Sequence, residues 1–557
     1  MLLAGAWILA IASCAELTPV QNQTEENVNG QGTRIEVLGL RTETDTKVTL
    51  SGTSFAWQPG DKIAVWTGTS VSDGSFQECT VTDNFSLPVS LDEGKSRYNY
   101  AVYPASAAYS FSYGSNPVLK RLTFRLPSSY KLAEVEDTKT PLPMVAVNDN
   151  ETNVLTFYSV AGLLRLTVNG IPTEDGTYLK IDFHSKIVSD NDFRIDYAKI
   201  DFNSAVITNN YESSNSSDKI IITELEGKSS VTINIPVPAI GFSDITVSAW
   251  NSSDVPIKAQ VVAFSYSAAR AHGKTIPEIS LQNGVFSYGE NTYFIIAPAN
   301  LQYSNGTYSF HENAYDMTFT QNLSSASSEE KQARDNLFKS SGTFDLFSWG
   351  TSGKNEKNPW TTSYSTALDL GENWDWGGNN PVGAFAKGTW LTPSRFALKY
   401  LIADRPSNNS KCTFGTVNSV HGLILLPDQF TDPQKNKGDG PIAYERKTFE
   451  TNVYSAEGWE AMKAAGAAFL PAAGKSHYSE FVNNIGYYWT STGEYYNDSG
   501  SSGNLDRAYY LSFSLSMYTP TISYGIKLYD SYGTSPGKII GFDKSIAAAV
   551  RLVHYIH

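Results

Sequence analysis

Two stretches of this chain hold enough side-chain oxygen to grip a hard cation. Asp369, Glu372, Asn373 and Asp375 fall within DLGENWDWGGNN, and Asn497, Asp498, Asn504 and Asp506 within NDSGSSGNLD. Calcium takes about six to eight oxygen ligands from flexible loops of this kind, although polar loop composition accounts for the same residues equally well. Aromatic rings stand among Gly, Asn and Asp in the same neighbourhoods: Trp349, Trp374, Trp376 and Tyr495. Rings in polar loops rather than apolar runs are the candidates for stacking on a ligand, with core packing as the alternative. Bond chemistry finds less to work with. His554 and His557 have no carboxylate beside them, which is poor ground for zinc. No P-loop or dinucleotide fingerprint occurs in the sequence. The chain is therefore expected to make contacts rather than to act as an enzyme, with no cofactor beyond a possible calcium ion.

Something must position those loops. At roughly 150 residues per domain, 557 residues predict three or four units rather than one. A hydrophobic content of 41% with only 18% charged residues excludes wholesale disorder. Lys and Arg number 42 against 56 Asp and Glu, a net charge of -14, and a field of that sign repels a phosphate backbone, so nucleic acid is excluded as a partner.

The address is read from the start. Met1 to Ser13, MLLAGAWILAIAS, is an apolar run too short for a permanent span and reads as a signal peptide. Ile11-Ala12-Ser13-Cys14 resembles the bacterial lipobox, which makes Cys14 the lipidated residue. An ordinary secretory signal with a coincidental cysteine is the alternative. Acyl chains contribute about 0.8 kcal/mol per buried CH₂, so several chains anchor stably. Residues 14–32 are polar, lack a periodic apolar face and form a tether. Cys79 and Cys412 are expected in different units as buried small hydrophobes.

From Arg34 the texture is that of strands and turns. RIEVLGL, KIAVW, YNYAVYPA, VLTFYSV, LLRLTVNG, SVTINIPVP and DITVSAW recur between Gly, Asn, Asp and Pro punctuation. This predicts two antiparallel β-sandwiches, 33–150 and 151–282, divided at the NDNET cluster near Glu151. Gly60-Asp61 is a turn pair before KIAVW, and Trp57 and Trp66 are expected in the core.

These residues carry a resemblance. Phe55 to Val65, FAWQPGDKIAV, resembles the W-x-x-G-D-x-I-x-V signature of the fimbrillin family. Tyr98 to Pro104, Leu155 to Gly170 and Ile235 to Pro238 are similar to its later landmarks, in order. The resemblance implies two tandem transthyretin-like β-sandwiches in an outer-membrane lipoprotein pilin or accessory subunit. It also implies strand exchange with other fimbrial subunits after cleavage behind a basic residue near the first strand. Arg34 and Arg41, flanking IEVLGL, are the candidates, with solvated strand-edge charges as the alternative.

Residues 283–557 differ: seven of the eleven Trp lie there. Helix signals appear in SRFALKYLI (Ser394 to Ile402) after Thr392-Pro393, and in SAEGWEAMKAAGAA (Ser455 to Ala468) behind an N-cap serine. Strand runs such as TYFIIAP, HGLILLP, AYYLSFS and AAVRLV surround them, so this unit is α+β. Asn300-Leu301-Gln302-Tyr303, the run Phe344 to Ser352, Gly388 to Thr392, Gly422 to Pro427, Phe469 to Gly474, Tyr488 to Ser491 and Val550 to Val553 are together similar to a module distantly like the C-type-lectin and sulfatase-modifying-factor fold. That fold pairs its terminal strands, here FIIAP with AAVRLV. The reactive cysteine pair of the second family and the calcium triplets of the first are missing, so the resemblance reaches fold and not active site. The whole is expected to be mainly β: a fimbrial accessory or tip subunit on the cell surface, binding a glycan or host protein through 283–557, or else a stand-alone glycan-binding lipoprotein.

Overall fold

A computed structural model describes residues 33–42, 57–66, 76–84, 86–92, 100–113, 119–124, 126–137, 142–148, 154–184, 193–196, 207–208, 218–238, 241–268, 272–323, 325–350, 374–406, 411–435, 442–444, 448–475, 482–496, 505–514, 542–543 and 547–557. The signal peptide, Cys14 and the tether lie outside the described residues. The chain is mainly β.

The first sheet has seven strands in the order Phe76–Thr80, Lys62–Trp66, Tyr100–Tyr103, Met144–Asn148, Val154–Ser159, Thr33–Thr42, Ser86–Asp92. Ile63, Val65, Leu87, Val89, Leu155 and Phe157 fill its core together with Cys79, whose thiol burial pushes up to about 11 and so keeps it unreactive. The turn before Lys62 forms as expected: Gly60 takes φ 94, and Asp61 Oδ2 accepts the Gln58 N–H at 2.8 Å. Trp57 meets Tyr103 and Phe157 at ring separations of 5.2 and 4.8 Å. The Trp66 side chain lies outside the described residues.

A second pair of sheets follows. Ala161–Asn169 pairs antiparallel with Ser230–Pro238 and parallel with Gly273–Thr275. Opposite runs the order Pro256–Ser267, Gly241–Trp250, Tyr178–Asp182, Lys219–Thr223, Ser129–Lys131. Leu164, Leu166, Val168, Ile181, Ile220, Ile233 and Val247 form one core between them. The chain does not divide at Glu151. Val154–Ser159 completes the first sheet, and Ser129–Lys131 pairs with Lys219–Thr223 in the second unit. LTFYSVAGLLRLTVNG is two strands parted by Val160 alone, because long-range pairing, and not the polar cluster upstream, decides which sheet each joins.

In the C-terminal unit Thr292–Ile296 pairs with Val285–Gly289 on one side and with Val553–Ile556 on the other, so the two ends of the segment do meet. Ile485–Tyr496 lies inside a five-stranded sheet, between Ala547–Ala549 and Leu505–Ser514. Cys412–Val417 and Val420–Leu425 form a hairpin within a four-stranded sheet. Ser455 caps helix Ala456–Ala464 as its sequence predicts, its Oγ accepting the Gly458 N–H. The other expected helix is Arg395–Lys399, capped by Ser394 rather than Thr392, and it continues as a π-turn at Tyr400–Asp404. A third helix, Ser328–Ser341, was not expected. It carries a capping box at Ser327 and Glu330 and a left-handed Gly342, both legible locally.

Candidate functional site

Three of the four aromatic candidates are structural. Trp349, Trp374 and Trp376 are 1%, 3% and 0% exposed, which corrects the expectation that they face a ligand. Trp349 Nε1 donates to Thr490 O at 2.9 Å, and Trp489 Nε1 returns the bond to Phe347 O at 2.6 Å, so two strands exchange indoles across one seam. Trp374 and Trp376 meet edge to face, and Trp374 N–H donates to Ser491 O. Gly377 lets this loop press inward: a Cβ there would sit 1.8 Å from Trp390 O. The glycines and asparagines around the rings are turn chemistry that buries them. Tyr495 lies in strand Ile485–Tyr496 opposite Asp506, and its side chain is outside the described residues.

Of the cation candidates, Asp375 alone has a described side chain. Asp375 Oδ1 accepts the Gly378 and Thr392 N–H groups, each at 2.9 Å, and the Thr392 hydroxyl at 3.2 Å. Burial raises its pKa against these bonds, and its oxygen is occupied by donors as a loop staple. Asp369, Glu372, Asn373, Asn497, Asp498 and Asn504 lie outside the described residues, as does the Asp506 side chain. Among the described residues no cluster of His, Cys, Asp and Glu is arranged to hold a metal. A cleft of about 50 Å³ lies beside Tyr293, Pro427 and Asp428.

Arg34 and Arg41 both fall in the first strand. It runs antiparallel to Ser86–Asp92, pairing Arg34 with Leu91, and parallel to Val154–Ser159, pairing Arg41 with Thr156. The strand thus bridges two neighbours in stagger: Thr33 to Gly39 pairs with Ser86–Asp92, Gly39 to Thr42 pairs with Val154–Ser159, and the two ladders overlap at Gly39. The two arginines are not equivalent there. A cut after Arg34 leaves Ile35 to Thr42 in place, whereas a cut after Arg41 frees nearly the whole strand.

Sequence reasoning missed the junction between the second sandwich and the C-terminal unit. Asp244, 1% exposed and at φ 53, breaks the register between Gly241–Trp250 and Pro256–Ser267. Its Oδ1 accepts the Phe264 N–H at 3.2 Å, while Oδ2 accepts the Ala386 N–H at 2.6 Å and the Thr389 hydroxyl. Beside it runs a chain of hydrogen bonds. His184 Nε2–H donates to Thr246 Oγ1 (3.0 Å), whose hydroxyl donates to His554 Nε2 (2.7 Å), and His554 Nδ1–H donates to Thr389 O (2.6 Å). This direction requires a neutral His554, whose Nε2 accepts; His184 Nε2–H donates whether its ring is neutral or charged. Burial, then the neighbouring His184, lowers the His554 pKa from 6.5 to about 3; burial also lowers His184, against Asp182, Asp244 and Asp218.

The unfolded chain therefore takes up the His554 proton first. Stability from this site is complete above about pH 6.5 and is lost progressively as pH falls toward about 3. The urea midpoint of the full chain is expected to drop between pH 7.5 and 4.5, and to drop less in His554→Gln. Parallel slopes in the two proteins would remove His554 as the cause.

No family model matches the chain, and no curated protein matches it. Among solved structures, a candidate cell adhesion protein of Bacteroides ovatus is 11% identical, with 44% of this chain and 94% of that one covered and a TM-score of 0.26. A fimbrial protein of the same species is 12% identical, covering 47% and 53% with a TM-score of 0.21. The fimbrial anchor protein Mfa2 of Porphyromonas gingivalis is 11% identical, covering 42% and 80% with a TM-score of 0.20. Likenesses this distant leave the role of the chain to its own geometry.

Proposed function

We propose that the chain is exported as a surface lipoprotein carried to the outer membrane by a lipid on Cys14 and that, once cleavage behind Arg41 frees it from that anchor, it acts as an accessory or tip subunit of a fimbrium. In this reading its first sheet accepts a strand from a neighbouring subunit, and residues 283–557, the lectin-like unit, make the adhesive contacts to a glycan or host protein without catalysing a reaction. The observation that carries it is the slot of the first strand. Removing Thr33 to Arg41 exposes the main-chain edge of Ser86–Asp92 and, in stagger beyond Gly39, that of Val154 to Thr156, and an incoming strand long enough to span the stagger satisfies both. Strand Val553–Ile556 is paired to Thr292–Ile296, and Leu391 and Val553 exchange two main-chain bonds, so this strand is committed to its own unit and is no donor.

Edman sequencing of assembled surface material is expected to begin at Thr42, and Arg41→Gln is expected to abolish incorporation into fimbriae. An N-terminus blocked at Cys14 in assembled material sinks the strand-exchange reading. Together with immunogold labelling of dispersed monomers, that result points to the stand-alone glycan-binding lipoprotein. A start at Ile35 leaves the slot filled and also counts against exchange.

A further inference from the structure

Arg395 differs from the other arginines whose side chains are described in the C-terminal unit. Arg551 is spent on buried carbonyls, and Arg405 on Asp428, Lys411 O and Leu426 O. Arg395 has neither an ion pair nor a side-chain hydrogen bond among the described residues. Its guanidinium carbon instead lies over two rings, 4.5 Å from the centre of Tyr509 and 4.7 Å from that of Phe396. Tyr509 is buried; Phe396 is 65% exposed. The backbone beneath is fixed. Arg395 N–H donates to Thr492 Oγ1 at 3.2 Å, Ser491 N–H donates to Pro393 O at 2.9 Å, and Ser394 Oγ accepts the Ala397 N–H.

Contact with rings orients a guanidinium while leaving its in-plane N–H groups unused, and a planar carboxylate is their bidentate complement. The exposed Phe396 ring beside it offers an apolar surface of the kind that meets the C–H face of a sugar. Two further observations narrow the ligand. A chain of net charge -14 repels polyanions, which favours an occupant with one carboxylate. The strand Ile485–Tyr496, whose Thr492 holds the Arg395 N–H, runs between Ala547–Ala549 and Leu505–Ser514, which favours recognition by side chains over strand addition at that strand. We propose that Arg395 and Phe396 form a receptor for a carboxylate-bearing sugar, of the uronic or sialic acid class. This names the ligand class for the adhesive unit and rests on reading 283–557 as that unit.

The test is calorimetric titration of the full chain with methyl glucuronide and with N-acetylneuraminic acid. Each is compared with its methyl ester, and the glucuronide also with methyl glucoside. One or both acids are expected to bind, which also tells the two sources apart, and the esters and the neutral sugar to bind at least about tenfold more weakly. Arg395→Gln is expected to weaken acid binding by about tenfold or more, with Arg395→Lys recovering only part because an ammonium lacks the fork. Phe396→Ala is expected to weaken binding severalfold with an unchanged melting temperature, since its ring is exposed, which separates loss of the receptor from loss of the fold. Equal binding of acid and ester, no binding of either acid, or wild-type affinity in Arg395→Gln and Phe396→Ala overturns the proposal. A glutamate-containing peptide that competes as well as the sugars overturns the ligand class. Cells that adhere equally well when the chain is deleted overturn the adhesive reading instead, and leave the titration result standing.

Discussion

Replacing Arg551 by methionine is expected to destabilise the C-terminal unit by about 4 kcal/mol, enough to unfold it in a chain of ordinary stability. The guanidinium is buried. Its Nε donates to Asn300 Oδ1 at 2.9 Å, Nη1 to Ala297 O at 2.9 Å, and Nη2 to Phe469 O at 2.7 Å and Ala314 O at 3.5 Å. Asn300 passes the network on to the Tyr488 hydroxyl, which donates to Pro471 O at 2.7 Å. One side chain thus ties the first strands of the unit, the Phe469 region and the closing segment together. Burial lowers the Arg551 pKa only to about 10, so the group stays charged at neutral pH. Methionine removes the cost of burying that charge but leaves four acceptors without donors, each worth roughly 1–3 kcal/mol, so the loss dominates. Arg551→Lys is expected to recover little, because one ammonium cannot reach acceptors spread over three segments. Urea denaturation of the full chain, followed by tryptophan emission, is the measurement. A change under about 1 kcal/mol in Arg551→Met would show that the network is incidental.

Asp244→Asn comes next in size, at roughly 2–4 kcal/mol, and its signature is loss of cooperativity rather than a simple shift. Asparagine keeps the side-chain shape and tolerates φ 53, so backbone strain is not the variable. It presents one oxygen where the carboxylate presents two. Either Phe264 N–H in its own sandwich or the Ala386 and Thr389 donors across the junction then face an amide NH₂. The C-terminal unit is expected to open ahead of the second sandwich, seen as earlier hydrogen exchange at the Ala386 amide and as two unfolding transitions in place of one. A single transition with unchanged exchange at Ala386 would mean that the two units are held by other contacts. The same junction argues for assaying binding on the full chain, since isolating 283–557 strands Asp244 and the His184 relay on the far side of the cut.

What the sequence disclosed follows the range of the interaction. The strands Lys62–Trp66 and Ser230–Pro238, the turn at Gly60 and the Ser455 cap were legible because their causes lie within a few residues. Helix Ser328–Ser341 was equally legible and was passed over, although Ser327, Glu330 and Gly342 mark both ends. Trp349, Trp374 and Trp376 misled because polar neighbours describe the turn a ring sits on and not the direction in which it points. Asp244 gave no signal at all. Inside GFSDITVSAW it reads as a turn or a solvated strand position, and the partners that explain it lie more than a hundred residues away. Phe396 and Arg395 looked like ordinary positions of an amphipathic helix, and only the placement of Tyr509 sets them apart.

Val160 carries a mechanical meaning. It alone parts the last strand of the first sheet from the first strand of the next; its N–H is held by Pro143 O at 3.0 Å, and the preceding Ser159 hydroxyl by Ala161 O at 2.9 Å. With Asp244 and His554 fastening the following junction, neither joint contains a slack linker. A pull applied across these two joints would pass as tension through hydrogen-bonded ladders, as through a tie-rod, with no loose segment at either joint to swivel and relieve it.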